Sequence, residues 1–322
     1  MDKDKHIKKG MVHKKITSIL REAQVKECLY PDHSKCSGEI IKSHSIQNNK
    51  ILSKLSENGE LIMISFNASE SNLNIEGRKI GRSQATIFTG FCSYHDKIVF
   101  QKIEDCVYKE GDLEQNALFA FRAFSKEYHA KLSAYNVFKE NQTDIFTYSF
   151  LVGNEAAQRD CLYYYEIFKQ ILIDSRYDLL ETKYIIFEEE FGLAVSSGIT
   201  FNYDFTGNKI NNLSDLDKRV SAIFLTIFPE NGKTYCLFTY LKEDKDLFIF
   251  LDDQLIKLED DLLKIRLSNL VSLCENTVFS PILWEKIGKE NQSIILNRFT
   301  KNIIENDVPG ELSNDYGFNF FT

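Results

Sequence analysis

Four residues in the first third of the chain have the types and spacing of a metal site: Cys28, Cys36, Cys92 and His95. They read C-x7-C, a long spacer, then C-x2-H. The first pair lies in the turn-rich stretch Cys28-Leu-Tyr-Pro-Asp-His-Ser-Lys-Cys36-Ser-Gly, and the second opens the amphipathic segment Cys92 to Ile103. A polar loop that supplies two thiolates, followed by two ligands on the first turn of a helix, is a common enclosure for tetrahedral zinc. The positive end of the helix favours the thiolate form that binds metal. His33 and His44 compete as ligands, because Cys28, His33 and Cys36 also form a C-x4-H-x2-C chelate.

The elements around these residues can be read from period and turn chemistry. Residues 12–27 carry a helical stripe, with apolar residues at 12, 16, 19, 20, 23 and 25. Gly38 to Ile46 reads as a short strand that ends near His44, and residues 47–57 add a helical turn. Asn58-Gly59 turns the chain into a strand over Leu61–Phe66, residues 67–81 read as a loop or hairpin, and Ala85–Phe91 is the strand that delivers Cys92. Two long helices follow, expected over Leu113–Phe138 and Ala156–Leu180. From Thr182 the period changes to two, with strands expected over Tyr184–Glu188, Leu193–Tyr203, Ala222–Ile227, Thr234–Leu241 and Asp246–Ile249. Asn231-Gly232 is the strongest hairpin signal in the chain. Residues 255–274 return to a helical period, and Ser280-Pro281 caps a further helix.

The fold class that follows is α+β: a small zinc module, a helical hairpin, and a mainly antiparallel sheet with C-terminal helices. Residues 1–108 are expected to form the zinc-binding module with its N-terminal helix. Residues 109–322 are expected to form the α+β domain, divided into a helical hairpin (113–181), a sheet (182–250) and helices (255–305).

At 322 residues, 43% hydrophobic and 27% charged, the chain has room for sizeable cores. No apolar run approaches the roughly 20 residues of a membrane span, and the first ten residues lack the apolar centre of a signal peptide. The seven cysteines lack disulfide-framework spacing, and Cys161, Cys236 and Cys274 fall in apolar or aromatic stretches as small core residues. A cytoplasmic protein is the simplest expectation. Residues 1–50 hold 11 Lys and Arg against 6 Asp and Glu, a net of +5, so the remainder carries −13 of the overall −8. The basic end suggests an anionic partner there, possible nucleic acid, whereas the acidic body has no nucleic-acid footprint. Phosphate-loop, Rossmann, zincin and hydrolase-elbow motifs do not occur.

Knuckle, strand, strand, then a helix bearing the last two ligands is the order of a treble-clef zinc finger. Over about residues 26–105 that order resembles the HNH endonuclease group. The resemblance implies a catalytic base at the end of the first strand, where Ile40-Ile-Lys-Ser-His44-Ser-Ile-Gln47 places His44, with Mg²⁺ or Mn²⁺ as the catalytic ion beside a structural zinc. It also departs from the group: Ser43 stands where an acidic residue is usual, the helix offers His95 and Asp96 rather than a separate ligand pair, and the knuckle is longer than C-x2-C. Two functions remain in view. One is a prokaryotic nuclease of antiviral defence or mobile elements; the other is a non-catalytic protein, stapled by zinc, that binds a protein or small ligand.

Overall fold

The computed structural model describes residues 18, 19, 21–69, 72–140, 145–304 and 308–322. Of the helix expected over 12–27, residues 12–17 and 20 lie outside the described residues; 18, 19, 21 and 22 are helical, but 24–27 are not, because the chain there runs beside the strand Ile87–Cys92, with the Glu27 N–H on the Thr89 carbonyl at 3.3 Å. The fold is α+β, with antiparallel sheets of two and seven strands and C-terminal helices.

The small sheet is a ribbon of β1 (Ile40–His44) and β4 (Ile87–Cys92). Their register pairs Ile40 with Cys92 at one end and His44 with Ile87 at the other, with a bulge between Ile41 and Ser43. The chain between them leaves the ribbon. It passes through helical turns over Asn48–Leu52 and Ser53–Leu55, then makes the hairpin of β2 (Glu60–Ser69) and β3 (Asn72–Gly81). The Asn58-Gly59 turn that opens it has φ of 52° and 78°, the left-handed pair that such a tight turn requires.

That hairpin is the edge of the large sheet, whose order is β3-β2-β9-β6-β7-β8-β5. The later strands are β5 (Leu180–Phe187), β6 (Leu193–Thr200), β7 (Ala222–Glu230), β8 (Lys233–Leu241) and β9 (Thr277–Phe279). The sheet therefore draws strands from both sides of residue 108. β7 and β8 are joined at Asn231-Gly232, again with both residues left-handed, at 53° and 82°. Asp246–Ile249 forms turns rather than the expected strand. Phe248 and Phe250 are buried while Ile249 is open, so the period-two pattern is present, but the backbone closes local bonds such as Phe248 N–H to the Lys245 carbonyl.

Both faces of the large sheet are covered. On β7, Ile223, Leu225 and Ile227 face one core, and Phe224 and Phe228 face the other. The first core is closed by α4 (Asp260–Val271), α5 (Pro281–Ile304) and the C-terminal Phe318, Phe320 and Phe321. Ser280 caps α5 by accepting from the Leu283 N–H at 3.1 Å. The second core is closed by α2 (Leu113–Glu140) and α3 (Ile145–Ile173). The helix expected from Ala156 begins earlier, at Ile145, and ends at Ile173, so Leu180 is free to start β5.

The N-terminal half of α2 is buried on all sides because it lies between the sheet and the ribbon. Phe121 packs on Phe91 and Phe100 from the ribbon side, with Phe100 carried on α1 (Ser93–Asp105). Phe124 packs on Phe224 of the sheet. α2 thus packs on both the ribbon side and the large sheet, and the two are also joined directly, by Asn276 Nδ2 donating to Ser45 Oγ at 2.8 Å and by ion pairs of Lys50 with Glu230 and Lys54 with Glu190.

Candidate metal centre

The structure brings Cys28, Cys36, Cys92 and His95 into one cluster, whose ligand atoms all lie within 4.8 Å of one another. His95 Nδ1 is 3.4 Å from each of the three sulfurs. A tetrahedral ion with metal–sulfur bonds of about 2.3 Å and a metal–nitrogen bond of about 2.0 Å requires a nitrogen–sulfur separation of about 3.5 Å. The cluster is therefore sized to hold a metal ion, and three sulfurs with one imidazole make a donor set that zinc takes.

Each ligand is placed by its own local structure. Asp32 Oδ1 accepts from Ser34 N–H at 2.9 Å and starts the single turn His33–Lys35, whose closing bond, Cys36 N–H to the His33 carbonyl at 3.1 Å, aims Cys36 inward. The segment before that turn is tied to β4 by the Leu29 N–H to the Gly90 carbonyl at 2.8 Å. Cys92 ends β4 and caps α1, its Sγ accepting from the His95 N–H at 3.5 Å. His95 is one turn further, on the same face. The Tyr30 ring covers it at 4.4 Å between centroids.

Burial pushes the Cys28 thiol up, and burial plus the neighbouring Cys28 and Cys92 push Cys36 to about 12. Burial also opposes ionisation of Cys92, but the His95 and Ser37 backbone hydrogen bonds outweigh it and bring that thiol down to about 7. One thiolate forms readily, and the other two are held back by burial and, for Cys36, by the neighbouring sulfurs, both of which a bound cation would offset. Burial lowers the His95 pKa, which keeps its ring neutral and able to ligate.

His33 and His44 are outside the cluster. His33 is exposed on the turn. His44 is at the opposite end of the ribbon, half-buried, with Nδ1 2.9 Å from the Ala85 carbonyl. A carbonyl only accepts, so Nδ1 carries the proton and the neutral ring presents Nε2 as its acceptor. Burial lowers the His44 pKa, with Ala85 and Asp96 opposing. Asp96 is itself raised by burial, with Arg122 and Ser43 opposing. Arg122 is buried, pairs with Glu104 and stacks over the Phe100 ring at 4.0 Å. Arg122 reaches this neighbourhood from α2, far from His44 in the chain, so no local signal announces it. Among the described residues no second group of three metal-ligating side chains gathers there.

Of the three cysteines expected in the core, two are there and Cys161 is not, because it lies on the partly open side of α3. Cys236 and Cys274 are buried in the core, Cys161 is half-buried and Cys106 is exposed. Among the described residues no helix is long and apolar enough to cross a membrane. Compared with protein families, curated proteins and solved structures, the chain matches none of them.

Proposed function

We propose that Cys28, Cys36, Cys92 and His95 hold a structural zinc ion in a treble-clef-like module, and that the protein acts by binding rather than by chemistry at that ion. The observation that carries this reading is the closed donor set. Four protein ligands already stand at tetrahedral spacing, with Cys28, Cys92 and His95 buried, so no position is left for water or substrate. Zinc would order the knuckle, β1, β4 and the start of α1, and would present the exposed Lys35 and Lys42 on one end of the molecule. Elemental analysis of freshly purified protein should find about one equivalent of zinc, and Cys92→Ser should lose it. Metal-free wild type would overturn the reading.

A second reading, a nuclease of the HNH kind in a defence or mobile-element setting, has one observation in its favour. His44 is held by the Ala85 carbonyl in the tautomer that a general base needs, and burial keeps it neutral near pH 7. On this reading His44→Ala abolishes nicking of DNA or RNA in Mg²⁺ or Mn²⁺ while zinc stays bound. Wild-type protein that nicks neither nucleic acid removes it.

A further inference from the structure

Away from the metal cluster, a cavity of about 790 Å³ opens between α2, the edge of β6 and the turn before β9. Sheet topology explains why it is there. β9 lies between β2 and β6 and is antiparallel to both, so β2 and β6 run parallel to each other. β9 has three residues, and the chain enters it from the turn that ends at Asn276. Both flanking strands continue past that point, β2 beyond Met63 to Ser69 and β6 beyond Val195 to Thr200. The sheet is therefore split by a slot that leaves β9 at two strand spacings, roughly 10 Å, the room that one strand takes.

The β6 side of the slot is an unused edge. Asn276 closes its inner end: its carbonyl accepts from the Ser196 N–H at 3.1 Å, and its Nδ2 donates to the Ser196 carbonyl at 2.7 Å. Backbone groups alternate along a strand, so those of Ser196, Gly198 and Thr200 all turn away from β7. Among the described residues, the N–H and C=O of Gly198 and Thr200 have no partner on that side. The register with β7 runs unbroken to Thr200 opposite Ala222, so the edge keeps its strand geometry to the end. Such an edge is a template for another extended backbone. Its alternating donors and acceptors match the main chain of a peptide at the peptide's own spacing.

The walls set the side chains that such a strand would carry. Even-numbered residues of β6 face α2, as Ala194 does, and odd-numbered ones face the first core, as Val195 and Ile199 do. A strand paired with β6 follows the same pleat. Its residues opposite Gly198 and Thr200 would face Lys126, Glu127, Lys131 and Glu275, two charges of each sign, so this wall favours uncharged polar side chains. The residue between them would face Leu270 and Leu312, which line the cavity on the side of Ile199 and favour an apolar one. We propose that the slot binds an extended, uncharged peptide segment of a partner protein. The segment is added as a strand between β6 and β2, antiparallel to β6, with polar and apolar side chains in alternation. This gives the binding reading a partner class but does not depend on the metal. Zinc content therefore tests one and peptide titration the other.

The test is calorimetric and thermal-shift titration of the full chain with acetyl-Ser-X-Ser-X-Ser-amide, where X is Val, Leu or Phe in three separate peptides. At least one should bind and raise the melting temperature. The same peptide N-methylated at its serines keeps every side chain but lacks the donors that meet β6. It should bind about tenfold more weakly or worse, the scale of two neutral main-chain hydrogen bonds. Thr200→Pro removes an N–H from the open edge and none from the ladder with β7, so it should weaken the peptide severalfold while melting close to the wild type. Ile199→Pro, which removes an N–H that faces β7, should lower the melting temperature instead. No binding of any of the three peptides at millimolar concentration overturns the proposal. So does an N-methylated peptide that binds as tightly as its parent, or unchanged affinity in Thr200→Pro. Self-association of the wild type that Thr200→Pro abolishes would give the slot to a second copy of the chain and overturn it as well.

Discussion

The two sheets of this protein are held together by different means. The ribbon has two strands, of five and six residues, and a ribbon of that size is marginal on its own. It has aromatic packing along one side through Phe88 and Phe91, and at its far end the cluster of three cysteines and His95. The seven-stranded sheet has a continuous core on each face, and its central strands β7 and β8 are buried almost throughout. Apolar burial at about 25 cal/mol per Å² needs no ion. The comparison teaches that the large sheet supplies its own stability by apolar burial, whereas on the proposed zinc reading the ribbon end would draw on a bound ion.

The most severe way to break that contrast is to remove the metal. Cys92→Ser takes away one ligand and leaves the others crowded, so we expect a loss on the order of several kcal/mol confined to the ribbon end. Hydrogen exchange should accelerate in β1, β4 and the first turn of α1 while β7 and β8 keep their protection. Equal acceleration across β7 and β8 would show that the two sheets melt as one unit, through α2.

A pair of glycines sharpens the comparison at smaller cost. A methyl group on Gly77, in β3, would come within 2.4 Å of the Trp284 ring on α5, and one on Gly90, in β4, within 2.4 Å of Phe88. Overpacking of this kind typically costs about 1–3 kcal/mol. Gly77→Ala should lower the melting temperature without changing zinc retention against a chelator, since it strikes only the large sheet. Gly90→Ala should speed zinc loss, because the Gly90 carbonyl anchors Leu29 and with it the knuckle. Identical chelation rates in the two variants would mean that the knuckle does not depend on the β4 backbone.

The same contrast explains what could be read from the sequence. Cys28, Cys36, Cys92 and His95 were legible because thiols in a turn and a C-x2-H at a helix start are local signals whose chemistry has few alternatives. Asn58-Gly59 and Asn231-Gly232 were legible because their left-handed turns need those residues. The membership of β2 and β3 in the large sheet was not legible, because it rests on β9, a strand of three residues with no periodicity to detect. Nor was the early start of α3 at Ile145, where the apolar pattern continues through a stretch that reads equally well as connection. The Lys126–Glu275 cavity unites residues about 150 positions apart, and nothing in either segment alone announces it.

The smallest expected effect lies between α2 and the ribbon. His129, on α2, is buried and donates from Nε2 to the Val25 carbonyl at 2.8 Å, with Thr89 of β4 at 3.1 Å. Burial lowers its pKa, Lys126 adds to the shift and the Val25 carbonyl opposes it. The unfolded chain therefore takes up the proton first, near the ordinary value of about 6.5. Stability that this neutral ring contributes is complete above that pH and is lost as pH falls from about 6.5 towards the lower folded value. Denaturant midpoints between pH 7.5 and 5.5 should fall for the wild type and fall less for His129→Gln, with zinc content measured at each pH to separate metal loss. Half-buried His44, also lowered by burial, contributes with the same sign, so the difference between the profiles, rather than either alone, reports on His129. Identical slopes would mean that His129 contributes nothing to the pH dependence, which would then rest on His44 and on the metal cluster.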